Sequence, residues 1–96
     1  GPAIGAAPFS VPGTLADPQL TLHNLADGAV VAADTEWNGN ADISATAASV
    51  GAFQWKNPSS ADSALLVTLP PGNYTATVAG ASGDTGVALV EVYEVP

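Results

Sequence analysis

Residues 19–33 read QLTLHNLADGAVVAA. Leu20 and Leu22 alternate with Thr21 and His23, the period of two that puts apolar groups on one face of a half-buried strand. Asp27-Gly28 supplies the positive φ angles of a tight hairpin turn, and residues 29–33 return as the partner strand. The stretch predicts an antiparallel hairpin, and the rest of the chain is read outward from it.

Downstream, the same period recurs between turn signals. Residues 73–80 (NYTATVAG) set Tyr74, Ala76 and Val78 against Thr75, Thr77 and Ala79. They follow an extended run at 62–69 (DSALLVTL) and a Pro70-Pro71-Gly72 turn. Ser82-Gly83-Asp84 turns again, and residues 86–95 (GVALVEVYEV) form a long β-branched strand. A short strand is expected at 52–55, with Phe53 and Trp55 on one face, followed by a loop at 57–60. Only 41–50 (ADISATAASV) departs from this period. There Ile43, Ala47 and Val50 fall on one face of a helix of two or three turns, capped by Asn40 or Asp42 and stopped by Gly51.

Residues 1–18 hold Pro2, Pro8, Pro12 and Pro18, which disfavour helix because proline lacks the N–H and clashes with the preceding turn. The segment is read as extended or irregular, with a short edge strand near Phe9–Val11. Short strands, frequent turns and little helix predict an all-β fold, an antiparallel, jelly-roll-like β-sandwich with one short helix plugging an open end or crossing between sheets. The expected division is an extended N-terminal arm over 1–14 and a sandwich domain over 15–96.

Ninety-six residues make one small domain, which buries roughly two-thirds of its unfolded surface. Aromatic residues number six, so the core is expected to consist of small and β-branched side chains around a few large anchors. Nine carboxylates face Lys56 and no arginine, for a formal net charge of −8. Phosphate binding requires cations, so nucleic acid is excluded as a partner and anionic membrane surfaces are disfavoured. Without cysteine there is neither a disulfide nor a thiolate metal site. The lack of both cysteine and methionine suits an extracellular protein. No apolar run is long enough to span a bilayer as a helix, and no basic start leads into an apolar stretch as in a signal peptide.

The nearest approach to a chemical motif is Asp34–Asp42 (DTEWNGNAD). Counted as a calcium loop, Asp34, Glu36, Asn38 and Asp42 fall at oxygen-donor positions and Gly39 at the turn. Ala45 stands where a bidentate glutamate is required, so the helix–loop–helix form fails. What remains is a looser calcium site on these residues and backbone carbonyls, and no other cofactor is expected. The structural alternative is an Asn38-Gly39 turn leading into a capped helix.

Other chemistry finds less support. His23 is the lone histidine, with no spacing that suggests a Ser-His-Asp triad or a zinc site. Glu91 and Glu94 lie on opposite faces of one strand, and Glu91 shares its face with Leu89, Tyr93 and Val95. Trp37, Trp55 and Tyr93 are candidates for stacking on a sugar; most aromatics in so small a chain serve as core anchors, and Trp37, inside a polar stretch, is the expected exception. Asn73-Tyr74-Thr75 matches the short N-glycosylation acceptor.

VPGTLADPQLTLH at 11–23 and SALLVTLPPGNYTATVAGASGDTGVALVEVYEV at 63–95, joined by a variable segment with a tryptophan, resemble a domain common in exported bacterial proteins. That domain often sits near the C-terminus of large secreted or surface proteins. The second half is more distantly similar to bacterial pre-peptidase C-terminal domains, which are β-sandwiches. The resemblance brings no catalytic residues, and the calcium ligands of some distant relatives do not map onto these positions. In similar sequences a β-branched strand runs directly into a Gly-Pro like Gly1-Pro2. On that basis Gly1-Pro2 is native and the sandwich lacks one strand, leaving an open edge. A tag-protease scar is the other reading of the pair.

Together these features predict a non-enzymatic extracellular structural module of a bacterial cell surface, of the kind found in filaments or adhesins. It is expected to associate with itself or with its parent surface protein through strand edges and the arm, with Ile4, Phe9 and Val11 as apolar anchors. The alternative is an accessory module binding carbohydrate or calcium.

Overall fold

The computed structural model describes residues 2–52, 54–55, 57 and 59–96. Its centre is a three-stranded antiparallel sheet of β1 (Pro18–Asn24), β2 (Val30–Asp34) and β3 (Tyr74–Gly80), in the order β2-β1-β3. In register, Leu20 faces Val78, and Leu22 faces both Ala76 and Ala32. These residues share one face, while Thr21, His23, Thr75 and Thr77 share the other. The polar side is knit by a contact of 3.5 Å between Thr77 Oγ1 and His23 Nε2. The alternation seen in the sequence thus sets the sidedness of the sheet.

The β1–β2 connection is wider than the predicted tight turn. Only Gly28 adopts a left-handed conformation, at φ +70°, and the loop spans 25–29. Asn24 and Asp27 explain the difference. Their side-chain oxygens accept the N–H groups of Ala26 and Ala29, each at 2.9 Å, which stabilises a longer loop of two local side-chain turns.

Helix α1 (Ala41–Ser49) matches the expected span, and both its ends follow from local chemistry. Asn40 Oδ1 accepts the N–H groups of Asp42 and Ile43 at 2.9 and 3.1 Å. At the other end Gly51 turns left-handed at φ +75°. The N–H of Gly51 then bonds to the Ala48 carbonyl and that of Ala52 to the Ala47 carbonyl, the Schellman pattern. Replacing Asn40 by alanine is expected to cost about 1 kcal/mol, read as a lower urea midpoint. An unchanged midpoint would show that tertiary packing alone holds the helix.

The arm differs from the expected extended strand. Pro2–Gly5 forms a single 3-10 turn, which accepts proline at its start because the first N–H groups need no partner within the turn. Val11 N–H then bonds back to the Ile4 carbonyl at 2.9 Å, folding the arm on itself.

The strands expected at 62–69 and 86–95 do not join the sheet. Within the second, only Val87 pairs, in a parallel bridge with Thr14. Period-two alternation marks side chains suited to a pleated surface, but a ladder also needs a free edge at the right place, and both edges of β1 are occupied. The two-layer sandwich is thus not seen as such. The described residues form one sheet, one helix and extended segments around a cavity of about 1600 Å³. The strand expected at 52–55 and the pair Gly1-Pro2 include residues outside those described.

Leu15 and Trp37, at 4 % and 5 % exposure, are with Pro18 the buried apolar side chains among the described residues. The radius of gyration, 13.5 Å, exceeds the roughly 12.5 Å of a close-packed chain of this length. The apolar sheet face, the Ile43, Ala47 and Val50 face of α1, and segments 61–69 and 88–96 all border the cavity.

Candidate functional site

The Asp34–Asp42 stretch is built as a turn between β2 and α1. Asn38 and Gly39 are both left-handed, at φ 57° and 61°, and Asn40 N–H reaches the Trp37 carbonyl at 3.2 Å. Two consecutive positive φ angles define the tight turn that an Asn-Gly pair favours. The expected turn and cap are therefore both present, with Asn40 rather than Asp42 as the cap.

The four candidate calcium ligands do not converge. Asp34 Oδ2 accepts the Ala64 N–H at 3.0 Å, and the Asn38 amide donates to the Glu36 carbonyl at 3.3 Å. Glu36 and Asp42 are exposed, Asp42 in the first turn of α1, where its charge complements the helix dipole. Among the described residues, no three carboxylate or histidine side chains are grouped to hold a metal ion.

Trp37 is buried. Its N–H donates to the Asp62 carbonyl at 2.8 Å, and its ring lies 4.7 Å, centroid to centroid, from that of Trp55, tilted by 33°. Trp55 is half-buried. Two of the rings named for sugar stacking thus meet each other, and Trp37 acts as a core anchor rather than an exposed contact. Its indole Nε1 is buried with no hydrogen-bond partner among the described residues.

Asp62 is the residue that sequence reasoning missed. At 6 % exposure it is the buried charged side chain among the described residues. Its two carboxylate oxygens accept the Ala3 N–H at 3.3 and 3.0 Å, and Oδ2 also accepts the Ser60 hydroxyl. Through its side chain and its carbonyl, Asp62 joins the arm, the 60–62 turn and the Trp37 anchor. A carboxylate at the head of the apolar run 64–67 was the available sequence signal, since a buried charge needs several donors.

The arm packs on its own domain through this clasp. Ile4 and Val11 are half-buried, and Phe9 is 40 % exposed. A second tether ties the end of the arm to the chain beyond β3. Leu15 N–H donates to the Val87 carbonyl at 2.8 Å and Val87 N–H to the Gly13 carbonyl at 2.9 Å. The contact is close enough that a Cβ at Gly86 would stand 2.6 Å from the Leu15 nitrogen, so only glycine fits there.

His23 sits on the polar sheet face, with Nδ1 3.3 Å from the Gly28 carbonyl. Asn73 is exposed beside a turn that the Tyr74 hydroxyl closes by donating to the Pro70 carbonyl at 2.7 Å. Among the described residues, no helix is long and apolar enough to cross a membrane.

No family model matches the chain, and no curated protein or solved structure is significantly similar to it. The resemblance to an exported bacterial surface domain rests on the quoted residues alone.

Proposed function

We propose that this chain is a non-catalytic structural module of an exported bacterial protein, which packs with copies of itself or with its parent protein through strand edges and its arm. One observation carries the proposal. A chain that is 47 % apolar buries only Leu15, Pro18 and Trp37 among its described apolar side chains, and leaves an apolar cavity of about 1600 Å³ open. Isolated protein interiors pack at crystal-like density, so so much unfilled apolar surface marks a contact surface. In this reading segments 62–69 and 86–95 gain strand partners once the module is packed. The clasped arm presents Phe9 at its surface.

The test is sedimentation velocity of the full chain at rising concentration, beside a Phe9→Asp variant. Association that grows with concentration and weakens in the variant supports the proposal. A compact monomer at every concentration, identical in both proteins, overturns it.

A further inference from the structure

Segment 86–95 is apolar on both faces. Val87, Leu89, Tyr93 and Val95 lie on one side, and Val90 and Val92 on the other. All six are at least 43 % exposed, and Val92 is 85 % exposed. An extended segment with this much exposed apolar surface and no ladder of its own is suited to pairing with another strand. Its backbone is also open to pairing, since among the described residues no backbone hydrogen bond joins 88–96 to another segment. A small apolar ligand would cover the side chains but leave these N–H and C=O groups unpaired. A strand satisfies both.

Within one copy, Val87 is tethered to Thr14 and not to β3. The bridge to Thr14 sets it parallel to the chain entering β1, and both edges of β1 are taken. Strand β3 is bonded to β1 on one side, and its other side pairs with no strand among the described residues. Its Ala76 and Val78 border the cavity. Donor and acceptor thus coexist in one chain, with no ladder between them among the described residues.

We propose that Ala88–Val95 of one copy adds as a strand to the open edge of β3 in a second copy, reciprocally, so that each copy closes the cavity of the other. This rests on the reading of the chain as a self-packing module, and it names the partner and the strand involved. The exposed parts of the six apolar side chains come to roughly 600 Å², and a reciprocal exchange with matching acceptor surface buries on the order of 2,000 Å², the size of a stable interface. The electrostatics give the proposal a signature. Each copy carries a formal charge of −8, with Glu91 and Glu94 in the donor strand, so repulsion opposes the dimer and added salt strengthens it by screening.

The experiment combines sedimentation velocity in low and high sodium chloride with hydrogen exchange of the full chain. Val92→Lys is the main variant, because a side chain so exposed within one copy tolerates the change. Val90→Thr is a milder second variant on the same face. The proposal expects a salt-strengthened dimer, with protection of 74–80 and 88–95 that rises with protein concentration. Val92→Lys is expected to weaken association by about tenfold or more while far-UV circular dichroism is unchanged. Association that persists in both variants while 88–95 exchanges freely overturns strand exchange and leaves the self-packing reading standing through another surface. Protection of 88–95 that is independent of concentration shows pairing within one chain and also overturns it. Saturable binding of the apolar dye ANS by a monomer would identify the cavity as a ligand site instead, which overturns it too. Absence of association under every condition removes the self-packing reading itself.

Discussion

Replacing Trp37 by alanine is expected to abolish most of the stability of the fold. Truncating a buried aromatic side chain costs about 3–5 kcal/mol, and a small domain has only about 5–15 kcal/mol in total. The loss should be large here because Trp37 is one of three buried apolar side chains among the described residues and stacks on Trp55. Its absence therefore removes a support that no neighbour replaces. Trp37→Phe separates the ring from its polar atom. It keeps an aromatic anchor and removes an indole N–H that has no partner among the described residues. Some packing is lost, but the cost of an unpaired buried donor, about 1–3 kcal/mol, is relieved. Phenylalanine is thus expected to lie within about 1 kcal/mol of the parent chain. Urea denaturation followed by circular dichroism reads both variants. Equal losses would show that the indole N–H, not the ring, is what the site requires.

Asp62→Ala is expected to cost about 2–4 kcal/mol and to release the arm. The carboxylate is buried and takes the Ala3 N–H and the Ser60 hydroxyl, so its removal strands both donors. Asp62→Asn keeps one acceptor oxygen and should lie between alanine and the parent chain. Hydrogen exchange at residues 3–11 distinguishes a clasp from a general loss of stability. Exchange there should accelerate in Asp62→Ala under conditions where β1 and β3 remain protected. If the arm exchanges no faster than in the parent chain, Asp62 is not its anchor.

Both variants act at residues whose importance differed in how legible it was. The turn at Asn38-Gly39, the cap at Asn40 and the stop at Gly51 could be read directly, because each depends on a few adjacent backbone and side-chain groups. The apolar stripe of Ile43, Ala47 and Val50 was legible for the same reason, as was the alternation of Leu20 and Leu22 against Thr21 and His23. The hairpin loop was misjudged because Asn24 and Asp27 competed for the backbone with side-chain oxygens. The arm was misjudged because one 3-10 turn needs so few residues that proline content alone does not exclude it. In the candidate site, Trp37 stood out as an unusual residue within a polar stretch. Its burial depends on residues 18 and 25 positions away, Trp55 and Asp62, which no local pattern brings together.

By itself, then, the amino-acid sequence determined the local elements: the two faces of β1 and β3, the capped helix, and the strongly acidic charge. These follow from interactions between neighbours in the chain, whose geometry is set by covalent connection. The tertiary structure alone decided that Asp62 clasps the arm, that Trp37 faces inward, and that Val87 is tethered to Thr14 while the strand pattern beyond it has no ladder. Pairing a strand or burying a charge requires partners distant in sequence, and whether they arrive depends on which edges and donors the rest of the fold has left free.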